Sequence, residues 1–230
     1  MPTVRLQEVV RATPRTRVLR IALGDGPLVF EAGQAVMVGR ANSATRSPYS
    51  IASAPSLAST GVLELLVPAD GAFGEIGLDP ADVVGQWLDL EGPLGSFGVP
   101  AGARNAPLLL VGGGTGIAPL RSVALDRLEQ AHAAPMGLVY SARTPDEFAF
   151  GDEFAALDQR RLRLHKTVTR DERTADGATR SGRIDDALLA AALPGRDAWC
   201  LVCGPSGLVE TVTARLESLG VPAGRIIVER

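Results

Sequence analysis

Three short runs of residues carry groups able to do chemistry. The first, Arg46-Ser-Pro-Tyr-Ser-Ile-Ala-Ser53, puts a cation, an aromatic face and hydroxyls close together. In an extended segment Arg46 can pair a phosphate, Tyr49 can stack on a planar ring and Ser50 can hydrogen-bond the ring edge. Read alone, the run is equally a polar strand with one aromatic. The second run is Leu108-Leu-Leu-Val-Gly-Gly-Gly-Thr-Gly-Ile-Ala-Pro-Leu-Arg121, an apolar strand that leads into glycines and then a helix. Glycines there let the backbone approach a pyrophosphate, and the helix N-terminus supplies N–H groups and a positive dipole end. A tight turn is the plainer alternative. The ending Gly114-x-Gly116-x-x-Pro119 replaces a third glycine, and no lysine follows as a P-loop requires, so the pattern departs from the ordinary Rossmann dehydrogenases. The third run, Cys203-Gly204-Pro205, follows an apolar segment at the end where open α/β sheets bind ligands, the alternative being that Cys203 is a small buried residue.

These groups need elements to hold them. Up to about residue 100 the chain shows short alternating segments, Val18–Leu23, Val62–Val67 and Gln86–Glu91, separated by turns with Gly and Pro, which predicts an antiparallel barrel or sandwich. The turn-rich stretch Pro100–Pro107 then ends that pattern. From Leu108, short apolar strands (Leu108–Val111, Leu138–Tyr140, Leu162–Val168, Trp199–Cys203, Arg225–Val228) alternate with helices that begin near Ile117, Glu147, Ile184 and Leu208. The first helix places Leu120, Ala124, Leu128 and Ala131 on one face. Thr144-Pro-Asp-Glu147 has capping-box spacing, Ser206 suits an N-cap, and Thr169–Gly182 reads as an exposed loop. The alternation predicts a parallel sheet with helices on both faces, so the expected fold is a β domain over residues 1–103 followed by an α/β domain over residues 104–230.

Composition narrows the chemistry further. With 230 residues and 46% hydrophobic side chains the chain can bury a sizeable core. No apolar run is long enough for a transmembrane helix, and the first twenty residues lack the pattern of a signal peptide, so a cytoplasmic protein is expected. The only cysteines are Cys200 and Cys203, and His132 and His165 lie far away in sequence, so no four-ligand zinc site or iron–sulfur cluster is expected. Cys200 and Cys203 have redox-motif spacing, but a strand puts them on opposite faces. Basic residues concentrate between Arg160 and Arg183, where eight Lys or Arg face three acids; the overall charge is −3 and aromatics are only 4%, so a local anion site is expected and a nucleic-acid track is not.

Seven segments stand in the order found in the ferredoxin–NADP⁺ reductase superfamily, which the chain resembles across nearly its whole length. They are Arg46–Ser50, Gly71–Gly74, Glu91–Phe97, Gly112–Pro119, Tyr140–Arg143, Cys203–Pro205 and Val228–Arg230. The resemblance implies a flavin-binding antiparallel barrel and a nicotinamide-binding α/β domain, with the two redox rings meeting between them and no iron–sulfur domain fused. It implies FAD, with FMN as the alternative. Arg46 would hold the flavin phosphate, Pro48 and Tyr49 would lie against the cofactor with Tyr49 stacked on the isoalloxazine, and Ser50 would bond near its N5. Gly71, Ala72, Phe73 and Gly74 would offer backbone N–H groups to the pyrophosphate. Many relatives have Ser or Thr where Gly74 stands, so that side-chain contact is missing. Gly114, Thr115, Gly116, Pro119, Cys203, Gly204 and Pro205 would hold the nicotinamide half, with Ser50, Cys203 and Glu229 at the reacting centre, the equal alternative for Glu229 being a solvated terminal charge.

For the adenosine end, the resemblance and the basic residues together favour NADP(H) over NAD(H). Thr169 and Arg170 would hold the 2′-phosphate, with Arg143 after the preceding strand and Arg173, Arg180 and Arg183 in the following loop; Asp171 is the feature an NADH enzyme would share. Glu229-Arg230 carries no following aromatic, so no aromatic cover over the flavin is expected. The expected activity is transfer of hydride from NAD(P)H to the flavin and of electrons onward to a protein acceptor: a ferredoxin, a flavodoxin, a haem protein or an oxygenase. The alternatives are a free-flavin or quinone reductase, and a noncatalytic electron-transfer subunit of the same fold. Oligomeric state is not legible.

Overall fold

The computed structural model describes residues 3–24, 26, 28–70, 83–130, 134–157, 160–171 and 179–229. Gly71, Ala72, Phe73 and Gly74 lie outside the described residues, as do Ala131, His132, Arg173 and Arg230.

The first half of the chain forms strands β1 (Thr3–Thr13), β2 (Thr16–Ala22), β3 (Ala35–Arg40), β4 (Ser47–Ser50), β5 (Val62–Pro68) and β6 (Trp87–Leu94), with a short helix α1 (Pro55–Ala58). They pair antiparallel throughout in the order β4-β3-β6-β1-β2-β5. A bridge between Ile51 and Leu65 joins the two edges, so the sheet closes into a barrel and leaves no long open edge. The alternation seen in the sequence has its physical cause here. Leu19, Ile21, Val36, Leu63, Leu65 and Leu88 point inward and are almost fully buried, while their neighbours face outward.

The second half forms β7 (Leu108–Gly113), β8 (Met136–Ala142), β9 (Leu162–Val168), β10 (Thr179–Ser181), β11 (Trp199–Cys203) and β12 (Ile226–Glu229). All pairings are parallel, in the order β10-β9-β8-β7-β11-β12. Among the described residues four helices intervene: α2 (Ile117–Glu129), α3 (Gly151–Ala156), α4 (Asp186–Ala192) and α5 (Ser206–Ser218). Every residue of β7 and β8 is buried, because α2 and α3 cover one face and α4 and α5 the other. Cys200 and Cys203 belong to opposite faces, as their odd spacing in a strand requires, and both are free thiols. The chain leaves β7 in one direction and returns to β11 on its other side, so a crevice opens at the carboxyl ends of these two strands. No helix among the described residues is long and apolar enough to cross a membrane.

Three local expectations are corrected. No helix starts at Glu147: a 3₁₀ turn spans Pro145–Glu147, and α3 begins only at Gly151. Thr144 Oγ1 lies 2.6 Å from Asp146 Oδ1, and no side-chain cap forms. Aromatic packing overrides the local cap, since the Phe148 ring sits edge-on to Tyr140 at 4.9 Å and the backbone turns left-handed at Phe150. Ser206 is the first residue of α5 and does not cap it; Pro205 occupies that position, and its carbonyl accepts from the N–H groups of Leu208 and Val209. Within the expected loop 169–182, Thr179–Ser181 pairs with β9 as a short edge strand.

Candidate active site

Ser50, Cys203 and Glu229 come from distant parts of the chain and meet. Ser50 ends β4; Cys203 ends β11, flanked in register by Gly112 of β7 and Glu229 of β12. Ser50 Oγ donates to Glu229 Oε2 at 3.4 Å, and Cys203 Sγ lies 3.7 Å from the same oxygen. Burial, with the neighbouring Glu229 carboxylate, pushes the Cys203 thiol up to about 12. Cys203 is therefore a protonated donor at neutral pH and not a thiolate nucleophile. Burial also raises Glu229, against the hydrogen bonds from Cys203 and Ser50. A partly buried carboxylate with two donors thus links the barrel to the parallel sheet.

Arg46 precedes β4, and its Nη2 lies 3.3 Å from Asp89 Oδ2 on β6. Its Nε is buried and has no hydrogen-bond partner among the described residues. A buried N–H donor without an acceptor is costly, and the group it lacks is an oxygen acceptor. Pro48 is exposed, and Tyr49 is half-buried against the barrel core. A partly accessible ring and, three residues earlier, an arginine with a spare donor are groups suited to the planar ring and phosphate of a flavin nucleotide.

The glycines between β7 and α2 divide by role. Gly114 adopts φ +59°, and a Cβ there would meet nothing, so its backbone is open to a ligand. A Cβ at Gly116 would overlap the Cys203 carbonyl, so this glycine allows α2 to close against the Cys203-Gly204 turn. Thr115 is half-exposed between them, whereas Pro119 is buried in the first turn of α2, where its missing N–H costs nothing.

A cleft of about 570 Å³ runs from this turn along the carboxyl ends of β7, β8 and β9. Gly114, Thr115, Arg143, Thr169, Arg170 and Pro205 line it together. The two arginines sit side by side because Arg170 N donates to the Arg143 carbonyl at 2.9 Å and Thr169 N to that of Ala142 at 3.0 Å. Arg183 also lines the cleft, but Arg180 turns away into a two-bond pair with Asp185 at 2.8 and 3.0 Å. Arg143, Arg170 and Arg183 form no ion pair among the described residues. Three exposed, unpaired guanidinium groups around one cleft suit a phosphate. Sequence reasoning missed the far wall, where Thr13, Arg15 and Asp70 of the barrel reach the same cleft. Nothing in the turn Thr13-Pro-Arg-Thr16 announces that contact. Ser50, Cys203 and Glu229 lie outside this lining, so the cleft and the three-residue cluster are neighbouring sites.

Residues 110–214 match the family model of the oxidoreductase NAD-binding domain. The chain is 31% identical to ferredoxin–NADP reductase B of Sorangium cellulosum over 98% of its own length and 96% of that protein. The chain belongs to the ferredoxin–NADP⁺ reductase superfamily. Membership covers both halves of the molecule, since the Sorangium match extends through the barrel. A reductase of this superfamily from Ralstonia, the ferredoxin–NAD(P)⁺ reductase component of naphthalene 1,2-dioxygenase/salicylate 5-hydroxylase systems, is also 31% identical. The match covers 94% of this chain but only 64% of that protein. Among solved structures, the Amycolatopsis cytochrome P450 reductase GcoB superposes with a TM-score of 0.84 at 29% identity, over 99% of this chain and 68% of that one. Both the antiparallel barrel and the parallel sheet described above are thus features of this reductase superfamily.

Proposed function

We propose that the chain is a flavin-containing NAD(P)H reductase module that supplies electrons to a protein acceptor. A flavin and a nicotinamide, when bound, would supply the redox chemistry of hydride and single-electron transfer, and the protein would supply position and electrostatics. The observation that carries the reading is the meeting of Ser50 from the barrel with Cys203 and Glu229 from the sheet around one carboxylate oxygen. It joins the strand suited to a flavin to the turn suited to a nicotinamide.

Arg46 would take a flavin phosphate on its spare donor, Tyr49 would cover the ring, and Ser50 would bond at the ring edge near N5. Gly114 and Thr115 would receive the nicotinamide half, with the protonated Cys203 thiol packed beside it and Glu229 holding both donors in place. FAD is the preferred flavin because the resemblance that carries these residues favours it. NADPH is the preferred donor because Arg143, Arg170 and Arg183 line the cleft with no ion-pair partner among the described residues. The names of the Ralstonia and Sorangium relatives support an acceptor of the ferredoxin kind, and that of GcoB extends the choice to a haem monooxygenase system.

Anaerobic reduction of the purified, flavin-loaded protein by NADPH and by NADH in parallel tests the reading. Bleaching of the flavin absorbance is expected with both, faster with NADPH. A protein that takes up neither FAD nor FMN, or whose bound flavin neither donor reduces, would defeat it.

A further inference from the structure

The contact between the barrel and the parallel sheet is built around one buried arginine. Arg121 stands on the second turn of α2 and is 8% exposed. Its Nε and Nη2 donate to the two oxygens of Glu153 on α3 at 2.6 and 2.9 Å. Its Nη1 crosses to the barrel, donating to Glu64 Oε2 on β5 and to the Ala52 carbonyl, both at 2.8 Å. The guanidinium carbon lies 4.2 Å from the centre of the Phe150 ring. Glu64 also accepts from Arg20 Nε at 2.8 Å, and Arg20 in turn pairs with Glu8. The next residue of α2, the buried Ser122, donates its hydroxyl to the Ser53 carbonyl at 2.7 Å.

Two elements are thereby tied together. Ala52 and Ser53 directly follow the segment Arg46–Ile51, and α2 directly follows the turn Gly114–Gly116. Packing alone does not explain this choice of residues, because apolar side chains of similar volume in place of a whole buried ion pair are often as stabilising as the pair. What an apolar residue cannot do is fix direction. A planar guanidinium with acceptors on both sides of an interface fixes distance and angle together.

We propose that Arg121, acting through Glu64 and the Ala52 carbonyl, is a positioning residue that sets β4 against the Gly114–Thr115 and Cys203 turns. Building on the reductase reading above, it sets the distance between flavin and nicotinamide. Glu153 holds the same arginine from within its own half of the molecule and steadies it without crossing the interface. The two carboxylates therefore have different consequences: loss of the Glu64 charge removes the charged bond across the interface and leaves only the Arg121–Ala52 and Ser122–Ser53 bonds to hold the barrel, whereas loss of Glu153 leaves all three crossing bonds in place. Hydride transfer is sensitive to such a shift, since a displacement of about 1 Å can cost a reaction about a hundredfold.

The test compares Glu64→Gln, Arg121→Met and Glu153→Gln. Nitroxide labels on Thr60→Cys in the barrel and Glu217→Cys on α5, both exposed, report the distance between the two halves, the native thiols being buried. A broader or displaced distance distribution is expected in Glu64→Gln and Arg121→Met, and the wild-type distribution in Glu153→Gln. In parallel, the single-turnover rate of flavin reduction should fall at least about tenfold in the first two variants and less than about twofold in the third. Flavin content should be unchanged in all three, because Arg46, Tyr49 and Ser50 lie within the barrel and are untouched. A wild-type distance distribution or reduction rate in Glu64→Gln overturns the proposal, as does equal disturbance by Glu153→Gln. If wild-type protein is not reduced by either nucleotide, the reductase reading falls, and the label distances alone still decide whether Arg121 sets the two halves.

Discussion

The interface and the cleft use the same side chain in opposite ways. At the interface Arg121 is buried and every donor nitrogen has a partner, whereas in the cleft Arg143, Arg170 and Arg183 are exposed and form no ion pair among the described residues. A saturated arginine has nothing left to offer a ligand and everything to lose on removal. An unpaired one contributes little to folding and keeps its fork for a phosphate. The difference separates structure from binding more sharply than residue type or position in a motif.

The largest effect that would break this comparison is on stability. Arg121→Met should lower the unfolding free energy by about 3 kcal/mol, measured by denaturant titration, because it strands a buried Glu64 whose remaining charged partner is Arg20. Burial alone would raise the Glu64 pKa, but the two arginines more than reverse this and hold it below the usual carboxylate range. The depressed pKa contributes stability above the unfolded carboxylate pKa, and this is lost as pH falls through the folded value. The variant should therefore show a shallower acid-side decline than wild type. The same loss of stability in Arg170→Ala would erase the distinction.

Arg170→Ala should instead leave unfolding within about 0.5 kcal/mol of wild type, as an exposed surface change. It should lower kcat/KM for NADPH by roughly ten- to a hundredfold, the worth of a charged hydrogen bond, with NADH nearly unaffected. An unchanged ratio of the two donors would remove the cleft arginines from nucleotide choice.

Cys203→Ala sharpens the comparison at the reacting centre. Flavin reduction should slow by about tenfold, equivalent to about 1.4 kcal/mol, with flavin content unchanged. Because burial holds both Cys200 and Cys203 up to about 12, the unfolded chain deprotonates first above its ordinary thiol pKa. Stability should fall as pH rises from the unfolded thiol pKa towards 12, and less steeply in Cys203→Ala. A thermal midpoint with the same alkaline slope in both proteins would show that Cys203 ionises as freely folded as unfolded.

The smallest effect is expected at Tyr49, where a half-buried ring loses only its stacking. Tyr49→Ala should weaken flavin retention by about 0.5 to 1.5 kcal/mol beyond area burial, read by calorimetric titration of the apoprotein. Affinity equal to wild type would leave Tyr49 as barrel packing only.

Much of the framework was legible in the residues themselves. The runs Leu162–Val168 and Trp199–Cys203 are strands with those same limits, and the turn from Leu108 into α2 takes the form its glycines imply. Apolar period and turn chemistry act over a few residues, so a local reading captures them. The helix expected at Glu147 failed for a physical reason of another range: Phe148 and Phe150 satisfy Tyr140 and Arg121, which lie on other elements. Ser50 and Glu229 are 179 positions apart and share a hydrogen bond only because the barrel docks on the sheet. Docking likewise brought Arg15 into the cleft and sent Arg121, two residues after the motif proline, into the interface. Sequence alone determined which segments could carry a phosphate, a ring or a thiol. Which arginines are spent on the protein and which remain for a ligand was decided by tertiary structure, because pairing depends on partners that no local pattern contains.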